Sequence, residues 1–138
     1  MLVDRAGHVA LCDFGIAAAC SESINTPHKK KGSKTPATPR RRSFCGTIDY
    51  MAPELLRGEP YDDSVDWWAL GCVFHELLTD KPPFSRDRPR DMFCAILREE
   101  PPSLIVSQGV ECADAVRGLL KKSSGERFGA DSLRSHAF

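Results

Sequence analysis

The 138-residue chain contains no apolar run approaching the ~18 residues of a membrane-spanning helix. Its start, Met1-Leu2-Val3-Asp4, has neither the basic residues nor the long apolar stretch of a secretory signal. No C-x-x-C pair occurs. The six cysteines, at positions 12, 20, 45, 72, 94 and 112, are scattered and mostly flanked by apolar residues, a pattern that disfavours zinc sites and disulfides and reads as reduced thiols. The expected setting is the cytoplasm, with the nucleus also open and no membrane partner. Nineteen Lys/Arg balance nineteen Asp/Glu, so the whole molecule has no field that would dictate a polyanionic partner. Acidic residues are missing locally, however. Residues 23–48 hold seven Lys/Arg and no Asp or Glu, leaving twelve basic residues against nineteen acidic ones elsewhere.

That basic tract also lacks periodic hydrophobic residues. From about Cys20 to Arg42 the chain is filled with Ser, Thr, Pro and Lys, a composition that supports no packed element and reads as a disordered insertion. Lys29-Lys30-Lys31, Lys34 and Arg40-Arg41-Arg42 would suit an import receptor or a nucleic-acid patch. The tract has no aromatic residue on which a base could stack, which argues against single-strand recognition. Thr26-Pro27, Thr35-Pro36 and Thr38-Pro39 could take proline-directed phosphates, each adding about 1.5 to 2 negative charges.

The remainder is patterned, and the total length suits one domain at most. Leu2-Val3 and residues 8–11, separated by a turn through Gly7, read as a short hairpin. Residues 65–78 are apolar on nearly every helical face, which predicts a helix surrounded by protein, with Ser64 as N-cap and Lys81-Pro82-Pro83 as its stop. Residues 89–99 put Met92, Phe93, Ile96 and Leu97 on one face. Residues 110–122 do the same with Cys112, Val116, Leu119 and Leu120, and 131–138 add a short final helix.

Three motifs stand on these elements in order: Asp13-Phe14-Gly15 after the hairpin, Gly46-Thr47 through Tyr50 to Ala52-Pro53-Glu54, and Asp66-Trp67-Trp68-Ala69-Leu70-Gly71 on the apolar helix. An acid at a strand end can hold a divalent cation, and a glycine two residues later lets the backbone turn sharply. With Pro82-Pro83-Phe84, Arg127-Phe128-Gly129 and His136-Ala137-Phe138, the chain resembles the C-lobe of the protein kinases. It is closest to the AGC group of serine/threonine kinases, the relatives of protein kinases A, G and C that include the ribosomal-protein kinases. The resemblance covers residues 1–138 except the insertion at 20–42. It implies a mainly α fold: a partial kinase C-lobe with a short β hairpin, then the activation loop and four helices.

The resemblance also implies roles and ligands. ATP and magnesium are the expected cofactors, with Asp13 as magnesium ligand and Gly15 shaping the turn after it. Cys12 would form a small wall of the nucleotide pocket. Ser43 matches the activation phosphosite, served by an upstream kinase or a sister molecule. Arg40 and Arg41, three and two residues before it, together with Phe44, make the substrate pattern that several kinases of this group prefer. Thr47 would favour hydroxyl substrates, Ile48 to Met51, including Tyr50, would form the shelf beneath the residue after the phosphoacceptor, and Glu76 would bind a substrate arginine. Expected substrates are therefore proteins with basic residues upstream of Ser or Thr. Glu54 and Arg127 would form a buried ion pair, and Asp66 would hold the catalytic-loop backbone.

Two stretches depart from the group's pattern, Ile16-Ala17-Ala18-Ala19-Cys20 after the glycine and Ser123-Ser124 ahead of Arg127. The 138 residues contain no Gly-rich phosphate loop, no strand lysine with its glutamate partner and no H-R-D loop. The expectation is a fragment inactive alone. A non-catalytic interaction module and a gene remnant are the alternatives.

Overall fold

The structure is a computed structural model, and it describes residues 2–12, 48–104 and 109–137. It begins with the expected hairpin, β1 (Leu2–Val3) antiparallel to β2 (Val9–Ala10), with Leu2 opposite Ala10 and Val3 opposite Val9. The turn is encoded locally: the Asp4 carboxylate accepts the N–H groups of Ala6 (2.8 Å) and His8 (2.9 Å), and Gly7 takes φ 89°.

A 3-10 turn, Ile48–Tyr50, leads into α1 (Pro53–Arg57), a five-residue helix too short to leave a periodic signature and not anticipated from the sequence. Pro53 starts it, and Gly58 at φ 68° ends it as a left-handed cap. The long helix α2 (Ser64–Thr79) follows, then α3 (Pro89–Arg98), α4 (Val110–Leu119) and α5 (Ala130–Ser135). The described residues thus hold five α-helices rather than four.

Boundaries differ from the expected ones for identifiable reasons. Ser64 is the first residue of α2, not its cap: Asp63 precedes it in helical conformation, the Asp62 carboxylate accepts the Ser64 N–H at 3.0 Å, and the buried Ser64 hydroxyl has no partner among the described residues. The helix stops before Lys81-Pro82-Pro83, at Asp80, whose φ of 60° closes the last turn with a 2.7 Å bond to the Glu76 carbonyl. Glu99 falls just outside α3, in extended conformation ahead of Pro101-Pro102. Lys121 and Lys122 lie beyond α4.

The core gathers Ile48, Ala52, Trp68, Cys72, Phe84, Met92, Ala95, Ile96, Val116 and Leu120. The Trp68 and Phe84 rings stack with centroids 5.5 Å apart and planes 9° from parallel. α2 buries only one stripe against this core, Trp68, Gly71, Cys72 and His75. Its other apolar residues are half-buried and Leu77 is 72% exposed, so the described residues enclose one side of a helix whose composition suits burial all round.

Candidate functional site

The 3-10 turn carries the expected substrate shelf. Ile48 is buried under it and anchors it to the core, while Tyr50 is half-buried with its phenol directed at α2. Tyr50 Oη donates to Glu76 Oε2 at 2.6 Å. The hydrogen bond to this carboxylate, helped by burial and by the negative charges of Glu76 and Asp49, pushes the Tyr50 pKa up to about 12. The phenol therefore stays protonated and keeps donating. Two residues assigned to substrate contact, 26 positions apart, form one unit in which Glu76 is oriented by Tyr50.

A second junction fixes the segment after the shelf. Arg127 donates to Glu54 through both terminal nitrogens, at 2.6 and 3.0 Å, and the two side chains are 0% and 6% exposed. Arg127 also donates to the carbonyls of Ser64 (2.7 Å) and Lys121 (3.1 Å). Burial alone would raise the Glu54 pKa, but the hydrogen bonds and charge of Arg127 win and hold it below the ordinary carboxylate value. One guanidinium thus ties α1, the start of α2 and the loop after α4 together. Asp66 stands exposed in the first turn of α2, and its carboxylate takes no hydrogen bond among the described residues.

Of the expected site residues, the structure brings together Ile48, Tyr50 and Glu76, and separately Glu54 and Arg127. Asp13, Gly15, Ser43 and Thr47 lie outside the described residues, as do the basic tract and its Thr-Pro pairs. Among the described residues no three His, Cys, Asp or Glu side chains converge as metal ligands, and Cys12, Cys72, Cys94 and Cys112 are free thiols. No described helix is long and apolar enough to cross a membrane.

Two polar groups emerge only in three dimensions. His75, on the buried stripe of α2, has Nδ1 2.9 Å from the Lys81 carbonyl, an acceptor, so this nitrogen donates, and the buried Nε2 has no hydrogen-bond partner among the described residues. Thr79 Oγ1 donates to the His75 carbonyl at 2.8 Å and braces the same turn. Lys122 reaches under the core to the end of α3. A histidine in an apolar stripe is visible in sequence, but the identity of its partner is not. Lys122 gave no local signal at all. A cleft of about 400 Å³ beside α4, lined by Leu104, Val110, Arg117 and His136 among others, contains none of the expected site residues.

Comparison with known proteins bears on this geometry directly. The protein kinase domain model matches residues 1–138. The whole chain is similar to the serine/threonine-protein kinase Sgk2 of Rattus norvegicus, 37% identical over 142 residues that make up 35% of that protein. It is likewise similar to the serine/threonine-protein kinase YPK1 of Saccharomyces cerevisiae (38% identical, 18% of that protein) and to the protein kinase C-like 1B of Caenorhabditis elegans (37% identical, 18% of that protein). The chain spans about a third or less of the length of these relatives.

Proposed function

Because the chain belongs to the protein kinase family, as a serine/threonine member of AGC type, we propose that it serves transfer of the ATP γ-phosphate to Ser or Thr of proteins with basic residues upstream of the acceptor. The observation that supports this reading best is the Tyr50–Glu76 unit. Glu76 Oε2 is taken by the Tyr50 phenol, while Oε1 accepts no hydrogen bond among the described residues and is left for an incoming guanidinium. A substrate arginine would meet a carboxylate already oriented, so less rotamer entropy is lost on binding.

Ile48 seats the shelf that receives the residue following the acceptor, and the Glu54–Arg127 pair holds that shelf against the helical body. Thr47 would contact the hydroxyl-bearing residue, and Asp66 would accept backbone N–H groups of the catalytic loop from its exposed position at the start of α2. Asp13 follows directly in sequence on Leu11 and Cys12, which are exposed at the end of the hairpin, and Gly15 stands two residues later. Asp13 would serve as a magnesium ligand, an ion ordinarily held by one or two carboxylates with substrate phosphates and water completing its shell. When bound, the ion neutralises phosphate charge during transfer. Phosphorylation of Ser43, directed by Arg40 and Arg41, would add an Arg-pairable charge to the activation segment.

The test compares peptides carrying arginine or alanine two and three residues before serine, using the full-length protein. Glu76→Gln should raise KM for the arginine peptide about tenfold, the loss of one charge-assisted hydrogen bond, and change the alanine peptide little. Unchanged selectivity would contradict the proposed role of Glu76.

A further inference from the structure

Helix α2 ends against three local preferences at once. Asp80 closes it at φ 60°, and among the described residues no other residue apart from glycine takes a positive φ. The left-handed region favours glycine, which lacks the Cβ that crowds the backbone there. A carboxylate at a helix C-terminus also faces the partial negative charge of the last carbonyls, where a cation is preferred. The other four described α-helices follow that preference, with Arg57, Arg98, Arg117 and Arg134 in their last turns, whereas the last turn of α2 holds no basic residue. The third conflict is with Glu76. The Asp80 N–H donates to the Glu76 carbonyl at 2.7 Å, which fixes the two acids one turn apart, a spacing at which like charges repel.

Nothing inside the chain offsets these costs. Asp80 is exposed, and its carboxylate enters no hydrogen bond or ion pair among the described residues, not even with Lys81 beside it. Lys81 is held through its backbone instead, its carbonyl accepting from His75 and Thr79. A strained backbone and an unfavourable charge without an internal partner point to a residue whose partner lies outside the fold. Along the α2 axis Asp80 stands about 6 Å beyond Glu76, four residues at about 1.5 Å each. Side chains on one side of an extended peptide are about 7 Å apart, so the spacing suits two basic residues separated by one residue. The direction follows from Asp66, proposed to hold the catalytic loop at the start of the helix. Glu76 lies about 15 Å and Asp80 about 21 Å along the axis from it, which puts Asp80 farther from the site of transfer.

We propose that Asp80 is a specificity-determining residue that takes a second basic side chain of the substrate, two residues upstream of the arginine met by Glu76. The inference rests on the reading of Glu76 as the partner of the first arginine and extends that site by one helical turn. Adjacent arginines point to opposite sides of an extended chain, so they do not fill both positions. With no cation of its own chain to displace, the Asp80 carboxylate is open to an incoming guanidinium or ammonium group.

The experiment measures KM and kcat of the full-length protein for serine peptides with one arginine, two or three residues before the serine. The same peptides are then given a second arginine one, two or three residues further upstream. The second arginine should lower KM about threefold when one residue separates it from the first, the size of a contact with an exposed carboxylate, and less at the other spacings. Asp80→Asn, which keeps a side chain tolerant of the left-handed backbone, and Asp80→Gly, which relieves the strain, should both bring that KM ratio close to one. Asp80→Glu should retain part of it, and the changes should fall on KM rather than kcat. Asp80→Gly should melt no lower than wild type, so its lost ratio belongs to binding and not to the helix end. A ratio unchanged in Asp80→Asn overturns the proposal, and so does a second arginine that helps equally at all three spacings or at none. Glu76→Gln on the one-arginine peptides tests the Glu76 reading alone, while the ratio within each Asp80 variant decides this one.

Discussion

Glu54 and Arg127 stand 73 positions apart and meet through two hydrogen bonds in a dry setting. At this scale the asymmetry of buried charge decides what happens on mutation: removing one partner strands the other. Arg127→Ala should destabilise the chain by about 3–5 kcal/mol in urea unfolding. Arg127→Lys should rescue little, because an ammonium cannot reproduce the fork that also serves the Ser64 and Lys121 carbonyls. The pH dependence has a definite sign. Arg127 depresses the Glu54 pKa below its ordinary 4.5, so the stabilisation is fully present above that value and is lost as pH falls through the lower, folded-state value. Wild type should lose stability in that acidic window more steeply than Glu54→Gln, and unfolding midpoints measured from neutral to acidic pH check this. The resemblance to the kinases implied both residues and their pairing. The carbonyl contacts that make the arginine irreplaceable belong to the folded chain.

Helices α2 and α4 approach closely at Gly71, and α4 meets the Phe128 ring at Gly118. A Cβ on Gly71 would stand 2.8 Å from Leu119 Cβ and 3.0 Å from Leu120 Cδ2, and a Cβ on Gly118 would collide with the Phe128 ring. Alanine favours a helix over glycine by about 1 kcal/mol, but overpacking costs roughly 1–3 kcal/mol, so the packing term wins here. Gly71→Ala and Gly118→Ala should therefore both lower Tm in a thermal melt, with Gly118→Ala the worse because an aromatic ring must move. The Phe128 N–H also donates to the Gly118 carbonyl at 3.0 Å, so displacing the ring strains the loop that delivers Arg127. The sequence announces these helices through Met92 and Ile96 on one face of α3 and Val116 and Leu119 on one face of α4. It does not announce α1, whose five residues span less than two turns, nor that α2 and α4 touch at glycine.

Over the whole molecule, the described parts form a short hairpin and a 3-10 turn joined to a helical body whose apolar surface is only partly covered. Leu77 on α2 and Leu11 beside the hairpin are 72% and 70% exposed. The 138 residues contain no H-R-D loop and no phosphate-binding lysine strand, so the isolated chain should transfer no phosphate from magnesium-ATP to a basic peptide. Magnesium-dependent transfer abolished by Asp13→Ala would contradict this. The sequence by itself determined the family, the order of the motifs, the hairpin at Gly7 and the apolar faces of the long helices. The family rests on the resemblance those motifs carry; the hairpin and the helix faces follow from residue type and short-range spacing. Only the tertiary structure decided which faces meet. Tyr50 orients Glu76 across 26 positions, His75 finds the Lys81 carbonyl from an otherwise apolar stripe, and Lys122 reaches the stacked Phe84 and Trp68 rings. The physical reason is that periodicity records how one element divides its own surface. What covers that surface, and what it does to the pKa of a side chain lying against it, depends on packing among residues far apart in the chain.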